Sequence, residues 1–287
     1  MCKMQKKPGK IFIFIFWEID WHNMKKEYTV FSTHANCARA NCTRTKIDRK
    51  EEINVPHINK RRPDTRLQII QVAAHLFIEE GYSNTSFSRI ANILDISTGN
   101  ITFYFKSKEH LLAVLVDELF GFQHNLLKQA ANEGKTSLLA YCLEITTIAS
   151  ACAEDKAARD FFTSAYSSEI TLRLIRENDM EKAKKIFGEY HPEWTDEQWM
   201  ATENIVSGIE YATIMTSEET TSLPLQIETA LNSIMILYGV PEEMRKIKIK
   251  KVFALDYRAL GMRVLGEFKD YIDNVNEQNL KNAAKAK

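Results

Sequence analysis

Four short stretches between residues 65 and 120 place apolar residues at helical spacing. In the first stretch, the residues that share one helix face are Leu67, Ile70, Ala74 and Phe77. Pro63 and Asp64 favour a helix start just before it, and Gly81 favours a stop just after it. The pattern therefore predicts a first helix between these turn residues.

A serine that can cap a helix precedes each of the next three stretches. Ser86 opens the second helix, Ser97 a very short third helix and Ser107 a fourth helix, and Asp95 lies in the tight turn between the second and third. Their inward residues are predicted to be Phe87, Ile90, Ala91, Leu94, Ile101, Phe105, Leu111, Leu112, Leu115, Leu119 and Phe120. Two short helices joined by a turn of three to four residues describe a helix-turn-helix. A plain three-helix core with no DNA contact has the same spacing.

Beyond residue 108 the chain reads as longer helices with few breakers. The predicted helices cover 108–130, 136–152, 156–167, 169–189, 195–217, 223–238 and 241–275. The predicted fold class is therefore all-α, with an N-terminal three-helix helix-turn-helix domain and a C-terminal helical domain. We expect the domains to cover 55–107 and 108–287, with residues 1–54 as an extension.

The charge distribution favours DNA at the predicted helix-turn-helix. The whole chain of 287 residues has 38 basic and 38 acidic residues, whereas residues 56–108 have seven basic and four acidic ones, a net charge of +3. No apolar run approaches the roughly 20 residues of a membrane span, and we expect no membrane partner. The five cysteines are odd in number, and Cys37 and Cys42 lack partners at zinc-finger spacing. Reduced thiols, a cytoplasmic location and no metal or cofactor are the expectation.

The sequence offers no enzyme motif. It contains no Gly-x-Ser-x-Gly, no His-Glu-x-x-His and no phosphate-binding loop, because Glu267 follows Gly266 where such a loop needs lysine. We therefore predict that the protein is not an enzyme and that no residue is catalytic. A helical protein-interaction module without DNA binding is the alternative function.

Residues 65–119 resemble the N-terminal domain of the TetR family of transcriptional regulators over its whole length. The matching elements, in order, are Phe-x-x-x-Gly-Tyr at 77–82, Thr-Ser at 85–86, Ile-Ala at 90–91, Asp-Ile-Ser-Thr-Gly at 95–99 and Phe-Lys-Ser-Lys-Glu-His-Leu at 105–111. Asp95 replaces the usual turn glycine, and aspartate tolerates left-handed backbone angles. Thr102 stands where an aromatic residue is common, which affects the bases that are read.

The resemblance implies that the third helix enters the major groove of double-stranded DNA. On a helical wheel Ile101, Tyr104 and Phe105 face the domain, and Gly99 and Phe103 lie opposite. The predicted DNA-binding residues are Ser86, Thr98, Gly99, Asn100, Thr102, Phe103, Tyr104 and Lys108. Asn100, Thr102 and Phe103 are base-contact candidates, and in the family a lysine at the position of Lys108 meets a phosphate. Exposed polar residues without a base contact are the alternative.

The resemblance also implies a homodimer on a near-palindromic operator and a repressor released by an unknown small-molecule effector. In the family the last two long helices pair with their copies. An apolar stripe is more often core within one chain, but the resemblance favours the dimer interface for two stripes: Ile227, Leu231, Ile234, Met235, Tyr238 and Phe253, Leu260, Val264, Phe268. The pocket residues stay unknown: Arg173, Glu203 and Glu210 could orient a ligand, but a surface role is expected for each.

Residues 1–54 are predicted to lie outside the working protein, with translation starting at Val55. The segment lacks a coherent period, and its alternating Ile-Phe run is an aggregation hazard if exposed. Arg49 to Glu52 can be encoded with AAGGAGG, a bacterial ribosome-binding sequence, and GTG is both a valine codon and a start codon. A DNA-binding arm is the competing interpretation, and the basic residues 60–62 could reach DNA or form a solvated tail.

Overall fold

The computed structural model describes residues 65–132, 137–216 and 222–275. The predicted extension, its start at Val55, the basic residues 60–62 and the predicted helix start at Pro63 and Asp64 lie outside these ranges. Every element of the described ranges is an α-helix, which confirms the predicted all-α class. No helix in these ranges has both the length and the apolar content that crossing a bilayer requires.

The helices follow one another with short connections. Their bounds are α1 Thr65–Glu79, α2 Phe87–Leu94, α3 Thr98–Tyr104, α4 Lys108–Ala131, α5 Leu138–Glu154, α6 Lys156–Ser167, α7 Glu169–Phe187, α8 Asp196–Met215, α9 Leu223–Leu237, α10 Glu242–Phe253 and α11 Tyr257–Asn274. Most bounds agree with the predicted ones to within two residues. The exception is the predicted helix over 241–275, which is two helices. The helical ladder ends at Ala254, and the Asp256 side chain accepts a hydrogen bond from the backbone N–H of Ala259 at 3.0 Å, which caps a new helix.

Helix α5 is the centre of the molecule. Its residues from Leu138 to Cys152 are all buried, and it packs against α4, α6, α8, α9, α10 and α11. A helix that is apolar on all sides is buried on all sides. Its hydroxyl groups are satisfied within the helix, since Thr146 donates to the Cys142 carbonyl and Thr147 to the Leu143 carbonyl, both at 2.7 Å.

The two apolar stripes near the carboxyl end lie largely inside the chain. All five residues of the α9 stripe, from Ile227 to Tyr238, are fully buried. Val264 and Phe268 of the second stripe are buried as well, while Phe253 and Leu260 are partly buried against the same core. The prediction that these stripes form the dimer interface is therefore wrong. Helices α9 and α11 turn these faces towards α5, so one chain covers them on its own.

Helix α11 is held at both of its ends. Near its start, Gly261 lets α11 approach α5 so closely that a Cβ atom at this position would lie 2.7 Å from the Thr147 carbonyl oxygen. At its far end α11 meets α1. The Gln71 amide donates to the carbonyls of Ile272 and Asp273 at 3.2 Å, and the Lys269 ammonium lies 2.6 Å from a Glu79 carboxylate oxygen. The first helix is thus attached directly to the last one.

Candidate nucleic-acid interface and buried cavity

Helices α2 and α3 and their turn have the geometry that the sequence predicts. Ser86 and Ser97 are both N-caps, and their hydroxyl oxygens accept from the backbone N–H groups of Arg89 and Asn100 at 3.2 Å. Asp95 has a left-handed backbone with φ of 53°, as expected of a residue in the place of the turn glycine. These caps fix where α3 begins and therefore which of its residues face outward.

The second half of α3 and the residue after it determine how this helix packs against its domain. Ile101 is fully buried and Phe105 is buried, which holds the helix against its domain. Tyr104, which the helical wheel placed inward, is 40% exposed, so that prediction is wrong. The helix ends at Tyr104, and Phe105 has extended backbone angles. Phe105 therefore reaches the core from outside the helical period, and Tyr104 remains at the surface.

The outward face of α3 carries the predicted base-contact residues. Thr98, Gly99, Asn100, Thr102 and Phe103 are all exposed, and Phe103 reaches 82% exposure. The Thr102 hydroxyl donates to the Gly99 carbonyl at 3.1 Å, which leaves its methyl group for an outside contact. The side-chain oxygen of Asn100 accepts a hydrogen bond from the Ser97 hydroxyl at 3.3 Å, which leaves the side-chain nitrogen of Asn100 as a donor. This face offers one amide, one methyl group and one aromatic ring.

Lys108, at the start of α4, contacts the turn between α1 and α2. Its ammonium donates to the carbonyls of Tyr82 and Thr85 at 2.9 and 3.0 Å, and it lies 3.9 Å from the centroid of the Tyr82 ring. Burial lowers the pKa of this lysine. Two of its three N–H donors are therefore used on the turn between α1 and α2. The sequence did not reveal this contact. The third N–H donor of Lys108 and the start of α4 remain available for the predicted phosphate contact. Ser107 precedes that start, and its hydroxyl pairs with His110 at 2.9 Å instead of capping a backbone N–H.

Asp160 of α6 fixes the same turn from the opposite side. One carboxylate oxygen accepts from the Ser83 backbone N–H at 2.6 Å, and the other accepts from the Ser83 hydroxyl. Gly81 has φ of 93°, and a Cβ atom there would lie 2.7 Å from the Asp160 carboxylate. The turn is thus held by α4 and α6, two helices that continue into the rest of the molecule. Sequence analysis missed Asp160, because 77 residues separate it from Ser83.

Helices α4 to α8 surround a cavity. Its empty volume, including space open to solvent, is about 450 Å³. The apolar part of the wall consists of Phe120, Ile145, Ile148, Ala149 and Ile214. The polar part includes Gln123 and Tyr141 and a group of charged residues. A mostly apolar wall with a few convergent polar groups is typical of ligand sites.

One side of the charged group is paired. The Lys182 ammonium lies 2.6 Å from a Glu144 oxygen and 3.0 Å from an Asp179 oxygen, and His124 bonds to the other Glu144 oxygen. Burial raises the pKa of Glu144, but Lys182 and His124 outweigh burial and hold it below its usual range. Glu144 is therefore an ionised buried carboxylate with two partners.

Two further carboxyl groups on α8 are buried. Glu203 and Glu210, seven residues apart, lie on the same inner face of α8, where Tyr238 donates to Glu203 at 2.7 Å and Tyr166 donates to Glu210 at 3.0 Å. Burial, together with the charge of Asp179, raises the pKa of Glu203 to about 9 and that of Glu210 to about 8. The expected surface role is therefore wrong for both glutamates, whereas Arg173 is exposed.

Comparison with known proteins agrees with the geometry of α1 to α4. Residues 69–115 match the family model described as bacterial regulatory proteins, tetR family. The probable HTH-type transcriptional regulator YttP of Bacillus subtilis (strain 168) is 34% identical over 82 residues, which are 28% of this chain. The aligned part spans 40% of the length of that relative.

Solved structures also match over much of the chain. The TetR family protein CprB from S. coelicolor A3(2) is 20% identical with a TM-score of 0.38, covering 71% of this chain and 97% of that one. FadR from Bacillus subtilis, solved with stearoyl-CoA, is 22% identical with a TM-score of 0.32, covering 73% of this chain and 99% of that one. The amino-terminal part of the chain, at residues 69–115, is thus similar in sequence to the tetR family of bacterial regulatory proteins.

Proposed function

We propose that the protein is a sequence-specific DNA-binding transcriptional regulator, a repressor that a small-molecule effector releases from its operator. The observation that carries this proposal is the outward face of α3. It exposes Asn100, Thr102 and Phe103 on a helix that two caps and two buried apolar residues hold in place. An amide can pair with a base edge, and a methyl group or an aromatic ring can contact a thymine methyl.

The dimer contact belongs on α8 and α9. From residue 201 to its end, α8 exposes no charged residue, and its exposed residues there are Ala201, Asn204, Ile205, Gly208, Ala212 and Met215. Ile205 is 59% exposed, and Leu225 and Ile236 of α9 are 54% and 51% exposed. Small and apolar residues on two adjacent helices allow close packing against the same two helices of a second chain. A two-fold dimer then reads two half-sites, so the operator is expected to be near-palindromic.

The effector site belongs in the buried cavity. Helix α4 contacts the α1–α2 turn through Lys108 and lines the cavity with Phe120 and Gln123. Helix α6 contacts the same turn through Asp160 and lines the cavity with Tyr166. A ligand that favours one position of these helices over another would change the position of α3. The effector acts only if it binds the two arrangements with different affinity.

The test is selection of binding sites from a pool of random double-stranded DNA by the full-length protein, followed by binding titrations at several salt concentrations. We expect enriched sites with two-fold symmetry and an affinity that falls as salt rises. Phe103→Ala should weaken binding to the selected site and leave thermal unfolding unchanged, because the ring makes no buried contact. Met262→Ala, an exposed apolar residue of α11, is the matched control and should bind like the wild type.

Asn100→Ala separates base reading from phosphate binding. It should relax the preference at particular base pairs, at a cost of about 1–3 kcal/mol if the contact is bidentate. A folded dimer that binds no DNA even at low salt would refute the proposal and would favour the protein-interaction module instead.

A further inference from the structure

Three carboxyl groups from two helices meet beside the cavity. They belong to Asp179 of α7 and to Glu203 and Glu210 of α8, and one oxygen from each lies within 4.8 Å of the other two. All three residues are buried. Like charges this close repel strongly where water is excluded, so the group needs positive charge or protons to persist.

The positive charge in the surroundings is too small. Within the described part of the chain, Lys182 is shared between Asp179 and Glu144, and His124 bonds to Glu144. Glu203 and Glu210 receive only tyrosine hydroxyl groups there.

Two oxygen atoms next to this cluster lack partners. The Tyr141 hydroxyl lines the cavity, its side chain is 3% exposed, and its oxygen has no hydrogen-bond partner among the described residues. The same holds for one carboxylate oxygen of the fully buried Glu203. Tyr141 lines the same cavity as Asp179 and Glu210. Burial, Tyr238 and the three carboxyl groups all raise the pKa of its hydroxyl. Buried oxygen atoms without partners are costly, and a cation would satisfy both.

We infer that Asp179, Glu203 and Glu210 bind one divalent metal ion of the hard class, such as Mn²⁺, Mg²⁺ or Ca²⁺, with Tyr141 at the edge of the site. The donor set consists of oxygen atoms, which these ions prefer. Two oxygen atoms that bind one Ca²⁺ at about 2.4 Å each lie at most about 4.8 Å apart, and every pair of oxygen atoms in this cluster meets that limit.

Charge favours a divalent metal ion over an organic ammonium compound. A divalent ion can neutralise two carboxylates of the cluster, whereas a singly charged ammonium group can neutralise one.

The test measures metal binding directly and needs no DNA, so it is independent of the proposed function. Full-length protein treated with a chelator and dialysed is titrated with Mn²⁺, and free Mn²⁺ is followed by electron paramagnetic resonance. We expect one Mn²⁺ per chain and competition by Mg²⁺ or Ca²⁺. Glu203→Gln and Glu210→Gln should each weaken binding about tenfold or more. Glu197→Gln changes the same charge at an exposed position of α8 and should bind as the wild type does.

Thermal unfolding keeps the test decisive if one variant misfolds. Mn²⁺ should raise the wild-type unfolding midpoint and leave that of Glu203→Gln unchanged. Without metal, this variant should be about as stable as the wild type at pH 7, because glutamine has the size of glutamate and a pKa of about 9 leaves Glu203 neutral there. Absence of saturable binding at metal concentrations on the order of 1 mM would overturn the inference. Binding that both glutamine variants retain would also overturn it, and so would stabilisation by benzyltrimethylammonium but not by metal ions.

Discussion

The contact between α11 and α5 can be measured with two glycines of the same helix. Gly261 is buried, and a Cβ atom there would lie 2.7 Å from the Thr147 carbonyl oxygen and 2.9 Å from the Ser150 hydroxyl oxygen. Gly266 is exposed, and a Cβ atom there would meet nothing within 4 Å. Replacing a glycine inside a helix by alanine stabilises the helix by about 0.5–1 kcal/mol. Gly266→Ala should show this gain.

Gly261→Ala has the same backbone gain and an added packing cost. A backbone carbonyl at 2.7 Å cannot move aside as a flexible side chain can, so α11 must shift. Overpacking of this kind costs about 1–3 kcal/mol. The backbone gain is common to both variants, so the difference in stability between them equals the packing cost. Gly261→Ala should therefore be about 1–3 kcal/mol less stable than Gly266→Ala.

The assay is unfolding in urea, followed by circular dichroism, at two or more protein concentrations so that dimerisation is separated from folding. Equal dependence on urea for both variants would allow the midpoints to be compared directly. If Gly261→Ala is as stable as Gly266→Ala, α11 does not approach α5 closely enough at Gly261 to exclude a Cβ atom.

Three further substitutions test other parts of the structure. Ile205→Glu should shift the protein towards monomers in analytical ultracentrifugation, whereas Met262→Glu, on the exposed side of α11, should not; dimers that tolerate Ile205→Glu would contradict the proposed interface. Lys182→Met should destabilise the fold by about 3–5 kcal/mol in denaturant, because it leaves two buried carboxylates without their cation, and a loss below 1 kcal/mol would contradict the ion-pair geometry. Asp160→Ala should cost about 1 kcal/mol through its lost bonds to Ser83 and weaken operator binding, and unchanged binding in titrations would contradict its positioning role.

The amino-terminal half of the fold could be predicted because its signals are local. Ser86, Asp95 and Ser97 act within three or four residues of themselves, so the caps and the left-handed turn follow from the sequence alone. Tyr104 was misplaced because α3 ends there, and a helical wheel assumes that the helix continues through Phe105. The end of a short helix depends on the core it meets, which the wheel does not contain.

The helices of the carboxyl-terminal part could be predicted from the sequence, but the way they pack against one another could not. An apolar stripe such as Ile227 to Tyr238 has the same pattern whether α5 or a second chain covers it, and only the packing decides. The cavity cluster joins residues 179, 203 and 210, and the turn contact joins residues 83 and 160. Such pairs leave no periodic signal, because the chain between them can fold in many ways. Glu203 and Glu210 did share a helix face, which was the available hint.

The contacts of Lys108 and Asp160 with the α1–α2 turn have a consequence for protein engineering. A chimeric regulator that joins the residues up to 107 of this chain to the effector domain of a relative would lose both the Lys108 ammonium and the Asp160 carboxylate. The turn would then keep its left-handed Gly81 but lack the charges that fix it. A modular graft should therefore carry Lys108 with the DNA-binding part and place an aspartate at the equivalent position of the recipient's sixth helix. The minimal transferable unit is discontinuous in sequence.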